Sequence, residues 1–340
     1  MLFYASMSVW TDLLSTAIRA PSPHNVQPWR VRILSEYEAD LFIDSKRTLP
    51  KEDTTGSFII LTMGMFLEAL RLLAANKSFQ LEYILHHEIS WYVNQILETH
   101  EQAFFPFARL QLKPGPPTSI DPELFHKRRT SRLSLKPDAI SETQIESLRS
   151  LARSWNQRFE VITDSELIER ILAKNTEAVF EDLNNSDYHD EIVEWFRFSD
   201  KASQATRDGL DYRCMNTSRV AFWLSARFPQ LLQQPLSGSV LAKVYRSQLG
   251  RVPTIGMLAG DFWEPEAAFD DGRFLMQFWL ETARQNLYIH PYGNLVTNTS
   301  ASTWLSNVTK VPHIWLIFKI GYSEEPPASY RRSVEEILLD

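Results

Sequence analysis

The chain has 340 residues, 44% of them hydrophobic, and carries 35 Lys and Arg against 42 Asp and Glu for a net charge of −7. Such a length supports about two domains' worth of core, and the acidic balance excludes a general nucleic-acid binder, whose footprint is a basic excess. The single cysteine, Cys214, excludes an internal disulfide and a thiolate-built zinc site, and it points to a reducing, cytoplasmic compartment.

In chain order, Ser8 is placed to cap a short helix running to about Ala20. The start MLFYASMSVW lacks a leading cationic region and a clear cleavage site, so it does not read as a signal peptide. Next comes IRAPSPHNVQPWR, Ile18 to Arg30, in which Pro21, Pro23 and Pro28 fix φ and keep the residues before them out of helix. A loop stiffened in this way carries Ser22, His24, Asn25 and Gln27 as short donors and acceptors, with Trp29 as an anchor. From residue types alone it is either a ligand-facing loop or a helix-to-strand connector ended by a buried Trp.

VRIL and ADLFID, separated by SEYE, predict a hairpin. Gly56 to Ala75 is apolar on nearly every side, as in a helix buried all round. Its length also suits a membrane span, but Glu68 and Arg71 near the middle would each cost about 2.5–3.5 kcal/mol in a bilayer centre, which favours a core helix and no membrane partner. Phe79–Leu85 and Arg109–Leu112 read as strands with a polar helical piece between them, and PGPP at 114–117 divides the chain into halves, 1–117 and 118–340.

The second half opens on FHKRRTSRLSL, Phe125 to Leu135, then a helix capped by Ser141 and a strand RFEVIT. Residues 164–235 read as mostly helical and rich in aromatic side chains. A long helix over 272–287, a loop YIHPYGN, a strand IWLIFKI at 314–320 and a tail YRRSVEEIL complete the chain. Neither GxGxxG nor GxxxxGK[ST] nor HExxH occurs, so no resident dinucleotide, P-loop or zinc motif is present. The scattered histidines lack ligand spacing, which gives no metal site.

APSPHNVQPWR resembles the APSxxNxQPW(R) loop of the flavin-dependent nitroreductase superfamily, and RRTSR resembles that family's basic turn. The family places the basic turn first and the loop about one helix later; here the order is reversed. Near 154–156 only a remnant of a second loop is found, and too little chain precedes Ala20 for a basic turn. With FLEALR (66–71) echoing WLETAR (279–284), the arrangement is similar to the Acg-like branch, in which one chain imitates the family's homodimer. LFIDSKRTLP, HDEIVEWFR and RRSVEEIL add matches, whereas 86–108 and 225–260 align poorly.

The resemblance implies an α+β, nitroreductase-like fold, internally duplicated into two pseudo-repeats forming a pseudo-dimer, monomeric, with one FMN per chain. It assigns Arg128, Arg129 and Thr130 to phosphate and ribityl contacts, Arg132 to the pyrimidine edge of the flavin, and Arg331, with Arg332 as competitor, to the phosphate. Pro21, Ser22, Pro23, Asn25 and Gln27 would meet the ring and ribityl chain, and Pro291, Tyr292 and Gly293 would lie beside flavin N5. Guanidinium forks suit a phosphate monoester, although KRRTSR without the family reads as a solvated basic turn.

The implied activity is an FMN-dependent oxidoreductase passing hydride through N5 to a small conjugated or aromatic acceptor, with NAD(P)H as a visiting donor and no protein nucleophile. Ser131 stands where an acidic residue is expected. The 186–225 region resembles a lid over the flavin, and a closed lid favours the alternative of a non-catalytic, flavin-sequestering protein.

Overall fold

A computed structural model describes residues 8–97, 103–227 and 235–340. Its helices and antiparallel sheets divide into two compact units. Unit 1 comprises the start of the chain to Lys127, Trp263–Gln277 and Tyr330–Asp340; unit 2 comprises Arg128–Phe262 and Phe278–Ser329. The PGPP stretch at 114–117 falls inside the first span of unit 1, which two later segments join.

In unit 1, Ser8 caps the helix Val9–Ala17 by accepting from Thr11 N. The expected hairpin forms as strands β1 (Trp29–Ile33) and β2 (Glu38–Asp44), paired antiparallel from Trp29↔Ile43 to Ile33↔Ala39. With β3 (Phe79–Leu85) and β4 (Phe104–Pro114) they make a four-stranded sheet in the order β1-β2-β4-β3. The RLQL strand is thus the second half of a longer one that also takes in FFPFA.

The apolar helix Ser57–Asn76 is buried over most of its length and stacks Phe66 on Trp29, ring centroids 4.6 Å apart. Its one fully buried charge, Glu68, is held by Arg71 at 2.6 Å, by Arg273 Nε at 3.4 Å and by Gln277 Nε2. Those partners meet the requirement that a buried carboxylate be paired, and they identify this segment as a core helix.

The second long helix starts earlier than its apolar run, at Pro265, and ends at Arg284. PEAAFDD, read from sequence as outside the helix, forms its first two turns. Phe269 packs between Tyr83 and Phe107 of unit 1, which is why 263–277 belongs there. A Cβ on Gly64 would lie 2.1 Å from Phe269 O, and one on Gly272 would lie 2.0 Å from Leu61 O. Both helices have 20 residues, and the eighth residue of each meets the fifth of the other. Such reciprocity is the mark of a contact with two-fold character. It sets GMFL (64–67) opposite GRFL (272–275), a register different from that of FLEALR and WLETAR.

Unit 2 follows the same plan. Strands β5 (Arg158–Ile162), β8 (Ile255–Ala259), β9 (Tyr288–Pro291) and β10 (Ile314–Gly321) form an antiparallel sheet in the order β5-β8-β10-β9. First, second, fourth and third is also the order in unit 1. Phe278, from the later part of the Pro265–Arg284 helix, packs on Phe159 and Phe318 with ring centroids 5.1 and 6.0 Å away. β9 occupies what the sequence suggested was a loop, YIHP; its four residues are too few for an alternating pattern to register.

Between β5 and β8 the chain makes helices Ser165–Leu183, Ser186–Glu194, Asp200–Thr206, Arg219–Arg227 and Pro235–Gln248, and a parallel pair of short strands, β6 (Phe196–Arg197) and β7 (Leu210–Asp211). Around that pair Arg197 and Asp208 form a largely buried ion pair at 2.6 Å, and Phe196 and Phe198 pack on Phe222.

Candidate functional site

Within unit 1 the Pro-rich loop is fixed by its own backbone and by the tail. Pro23–Asn25 makes one 3-10 turn, closed by Asn25 N donating to Ser22 O and Val26 N to Pro23 O at 3.1 and 3.0 Å. The Ser22 hydroxyl accepts from Gln27 N at 3.0 Å. His24, Asn25 and Gln27 all have positive φ, 46°, 57° and 54°, a left-handed conformation uncommon for residues with a Cβ that persists only where surroundings enforce it.

The enforcement is visible. Arg47 donates to Val26 O at 2.9 Å, His24 Nε2 lies 2.9 Å from Glu52, and Asn25 Nδ2 donates to Tyr330 O at 3.1 Å. Gln27, fully buried, accepts from Arg332 N through Oε1 at 2.9 Å, while the Arg332 guanidinium donates to Gln27 O and to Trp29 O. Val31 bridges Leu338 in parallel, and Leu339 N donates to Val31 O at 2.8 Å. Loop and tail, read from sequence as contributors to one site, are therefore in direct contact.

Arg331 and Arg332, alike in sequence, differ here. Arg332 is buried and donates through Nη2 to main-chain carbonyls of the loop, whereas Arg331 is half-buried with Nη1 on its neighbour's carbonyl, Tyr330 O, at 3.0 Å. Replacing Arg332 with methionine should destabilise the protein by about 2–4 kcal/mol, because charge-assisted bonds are lost and buried carbonyls are left unsatisfied. Urea denaturation of the variant measures this, and a paired Gln27→Ala variant should show less than additive loss, since the two side chains serve one contact.

Unit 2 brings together the other two segments. Thr130 forms a parallel bridge with Ile289, and Ser131 N donates to Ile289 O at 3.0 Å, so the RRTSR turn lies along the free edge of β9 directly before Pro291, Tyr292 and Gly293. Arg128 is buried with its guanidinium 4.7 Å from the centroid of the Trp279 ring. Arg129 reaches Glu325 at 2.6 Å and Pro326 O at 2.8 Å. Ser131, in the place of the expected acid, is buried with its hydroxyl 3.0 Å from that of Ser323.

Arg132 donates to Cys214 O at 3.1 Å, which ties it to the 186–225 region. Lys319, which the sequence reading did not single out, lies opposite His290 in the β9–β10 register and donates to Leu133 O at 2.7 Å and Leu249 O at 3.1 Å. A lone lysine inside IWLIFKI was the available signal.

The electrostatics of this corner are cationic. Burial, with Arg132 and Lys319 beside it, holds His290 well below its ordinary range, so the imidazole is neutral near pH 7. Burial, then Arg132, lowers Lys319 to about 8. Burial raises the Tyr292 phenol. Among the described residues, His290 Nδ1 and Tyr292 Oη are buried without a hydrogen-bond partner, and a Cβ on Gly293 would meet nothing within 4 Å. Buried polar groups left unmatched are costly, so a ligand with acceptor atoms and some negative charge would satisfy them. An FMN pyrimidine edge and phosphate have that chemistry, and the residues present fit it.

No protein-family model matches the chain, and no curated protein matches its sequence. Solved structures similar to it include the FMN-dependent nitroreductase NfnB of Mycobacterium smegmatis in complex with NADPH, at 16% identity and TM-score 0.39 over 61% of this chain and 93% of that one. A nitroreductase with bound FMN from Desulfitobacterium hafniense matches at 12% identity and TM-score 0.37, over 62% and 94%. A nitroreductase-like family protein from Bacillus cereus matches at 12% identity and TM-score 0.33, over 64% and 95%.

Proposed function

We propose that the protein is an FMN-dependent oxidoreductase of the nitroreductase type, reducing a small conjugated or aromatic acceptor with electrons from NAD(P)H. One observation above all supports this reading: the RRTSR turn runs beside β9, so two segments that the motif resemblance assigns to one cofactor are neighbours. In this reading Arg128, Arg129 and Thr130 hold phosphate and ribityl oxygens. Arg132 faces the pyrimidine edge, and Pro291, Tyr292 and Gly293 lie beside the ring. Pro21, Ser22, Pro23, Asn25 and Arg331 are the further contacts, with Gln27 and Arg332 holding the loop in shape. FMN, when bound, supplies hydride chemistry at N5. The chain's part is to bind, orient and place positive charge where negative charge grows.

The equal strand order of the two units and, within unit 1, the reciprocal glycine contact of the helices Ser57–Asn76 and Pro265–Arg284 support an internally duplicated, Acg-like chain. Such a chain acts as a monomer with one FMN.

A second reading, flavin sequestration, is favoured by the hydrogen bond from Arg132 to Cys214 O, which commits that cation to the region resembling a lid. Freshly purified protein separates the two. A yellow protein that bleaches anaerobically on adding NADH or NADPH is the expected result. Yellow protein inert to both would favour sequestration, and colourless protein that takes up no added FMN would overturn both.

A further inference from the structure

Two helices in unit 2 turn apolar side chains outward. On Arg219–Arg227, Phe222 and Ala226 face inward at 5% and 8% exposure, while Val220, Trp223 and Leu224 are 66%, 45% and 39% exposed. Spaced i, i+3 and i+4, the latter three share one stripe with the exposed Arg227. On Pro235–Gln248, Val240 and Val244 are 58% and 45% exposed, with exposed Lys243 in the same stripe. A helix that is apolar on its inner face requires no apolar residues on its outer one.

Charge separates this stretch from the rest of the chain. Although the protein carries −7 overall, the sequence from 212 to 260 has six Lys and Arg and not one Asp or Glu. Arg213, Arg219 and Arg246 reach Asp211, Asp200 and Glu169, whereas Arg227 and Lys243 are exposed and fall, by helical spacing, in the exposed apolar stripe of their own helices. Self-association through one shared patch would bring both copies of those cations into one interface, with no carboxylate in the stretch to pair them. An anionic lipid surface answers both features: the acyl boundary takes Val, Leu and Trp, and the headgroups take the cations.

We propose that the helices Arg219–Arg227 and Pro235–Gln248 dock the protein on anionic phospholipid membranes, lying on the surface rather than spanning it. A surface contact of this kind is distinct from the membrane span that Glu68 and Arg71 argue against, and it does not depend on flavin binding.

Vesicle co-sedimentation of the full chain tests it. Binding is expected to equimolar phosphatidylcholine and phosphatidylglycerol, weakening as salt is raised, with little binding to phosphatidylcholine alone. W223S/L224S should cut the bound fraction about tenfold through lost apolar insertion, and R227E/K243E should do so by about tenfold or more through reversed headgroup attraction. Thermal melting by circular dichroism checks folding; if W223S/L224S melts early, the surface charge variant decides. No sedimentation with either vesicle would overturn the proposal, as would unchanged binding by folded R227E/K243E, or a concentration-dependent dimer in light scattering that W223S/L224S abolishes.

Discussion

Gly64→Ala and Gly272→Ala are each expected to lower the melting temperature, although alanine is the better helix former by about 1 kcal/mol. The new methyl would sit 2.1 Å from Phe269 O in one variant and 2.0 Å from Leu61 O in the other. A backbone carbonyl inside a helix cannot rotate away, so the helices must separate, and overpacking of this kind costs about 1–3 kcal/mol or more. The steric term therefore outweighs the propensity gain. Because the two glycines share one crossing, the double variant should lose less than the sum of the single losses, since the first separation makes room for the second methyl. Gly293→Ala is the control: its added Cβ meets nothing within 4 Å, and its stability should hold or rise slightly. Calorimetry on the parent and the four variants checks the set. A Gly64→Ala variant as stable as the parent would mean that the helices do not approach as described.

Arg128→Ala should weaken FMN binding by about 10–100-fold. A charge-assisted hydrogen bond contributes about 1.5–3 kcal/mol, and each 1.4 kcal/mol is a factor of ten in affinity. Lysine at this position keeps the charge and loses the fork, so Arg128→Lys should fall between. Titration of flavin fluorescence gives the affinities. Arg128 also lies over Trp279 at 4.7 Å, a contact worth about 0.5–2 kcal/mol, so apo-protein melting is measured alongside. Parental FMN affinity in a folded Arg128→Ala protein would remove this residue from the phosphate role.

Local chemistry was legible in the sequence, and tertiary choices were not. Prolines and an N-cap serine mark their positions by conformational necessity, and the hairpin at 29–44, the apolar helix and the Ser141 cap all appear where that logic puts them. β8 was missed because IGMLA is short, uniformly buried and interrupted by a glycine, so no alternation distinguishes it from helix. The glycine contact of the two long helices was hidden for a related reason. FLEALR and WLETAR share a Glu–Arg pair at i, i+3, found as ion pairs in both helices, but such pairs recur on many helices. The glycines that fix the register show their purpose only once a second helix presses on them.

The candidate site divides in the same way. Residue types in the loop and basic turn could be named in advance. That Arg332 reaches carbonyls of the loop while Arg331 donates to Tyr330 O beside it, and that Lys319 lies opposite His290, depend on partners far away in sequence.

The bonds between Gln27 and Arg332 join positions 305 residues apart. At ribosomal speeds of about 5–20 residues per second, the left-handed turn at His24–Gln27 would wait roughly 15–60 s between its own synthesis and the arrival of the arginine that pins it. During that interval the loop lacks the partner that holds Gln27, so its final shape is a late event of biogenesis rather than an early nucleus.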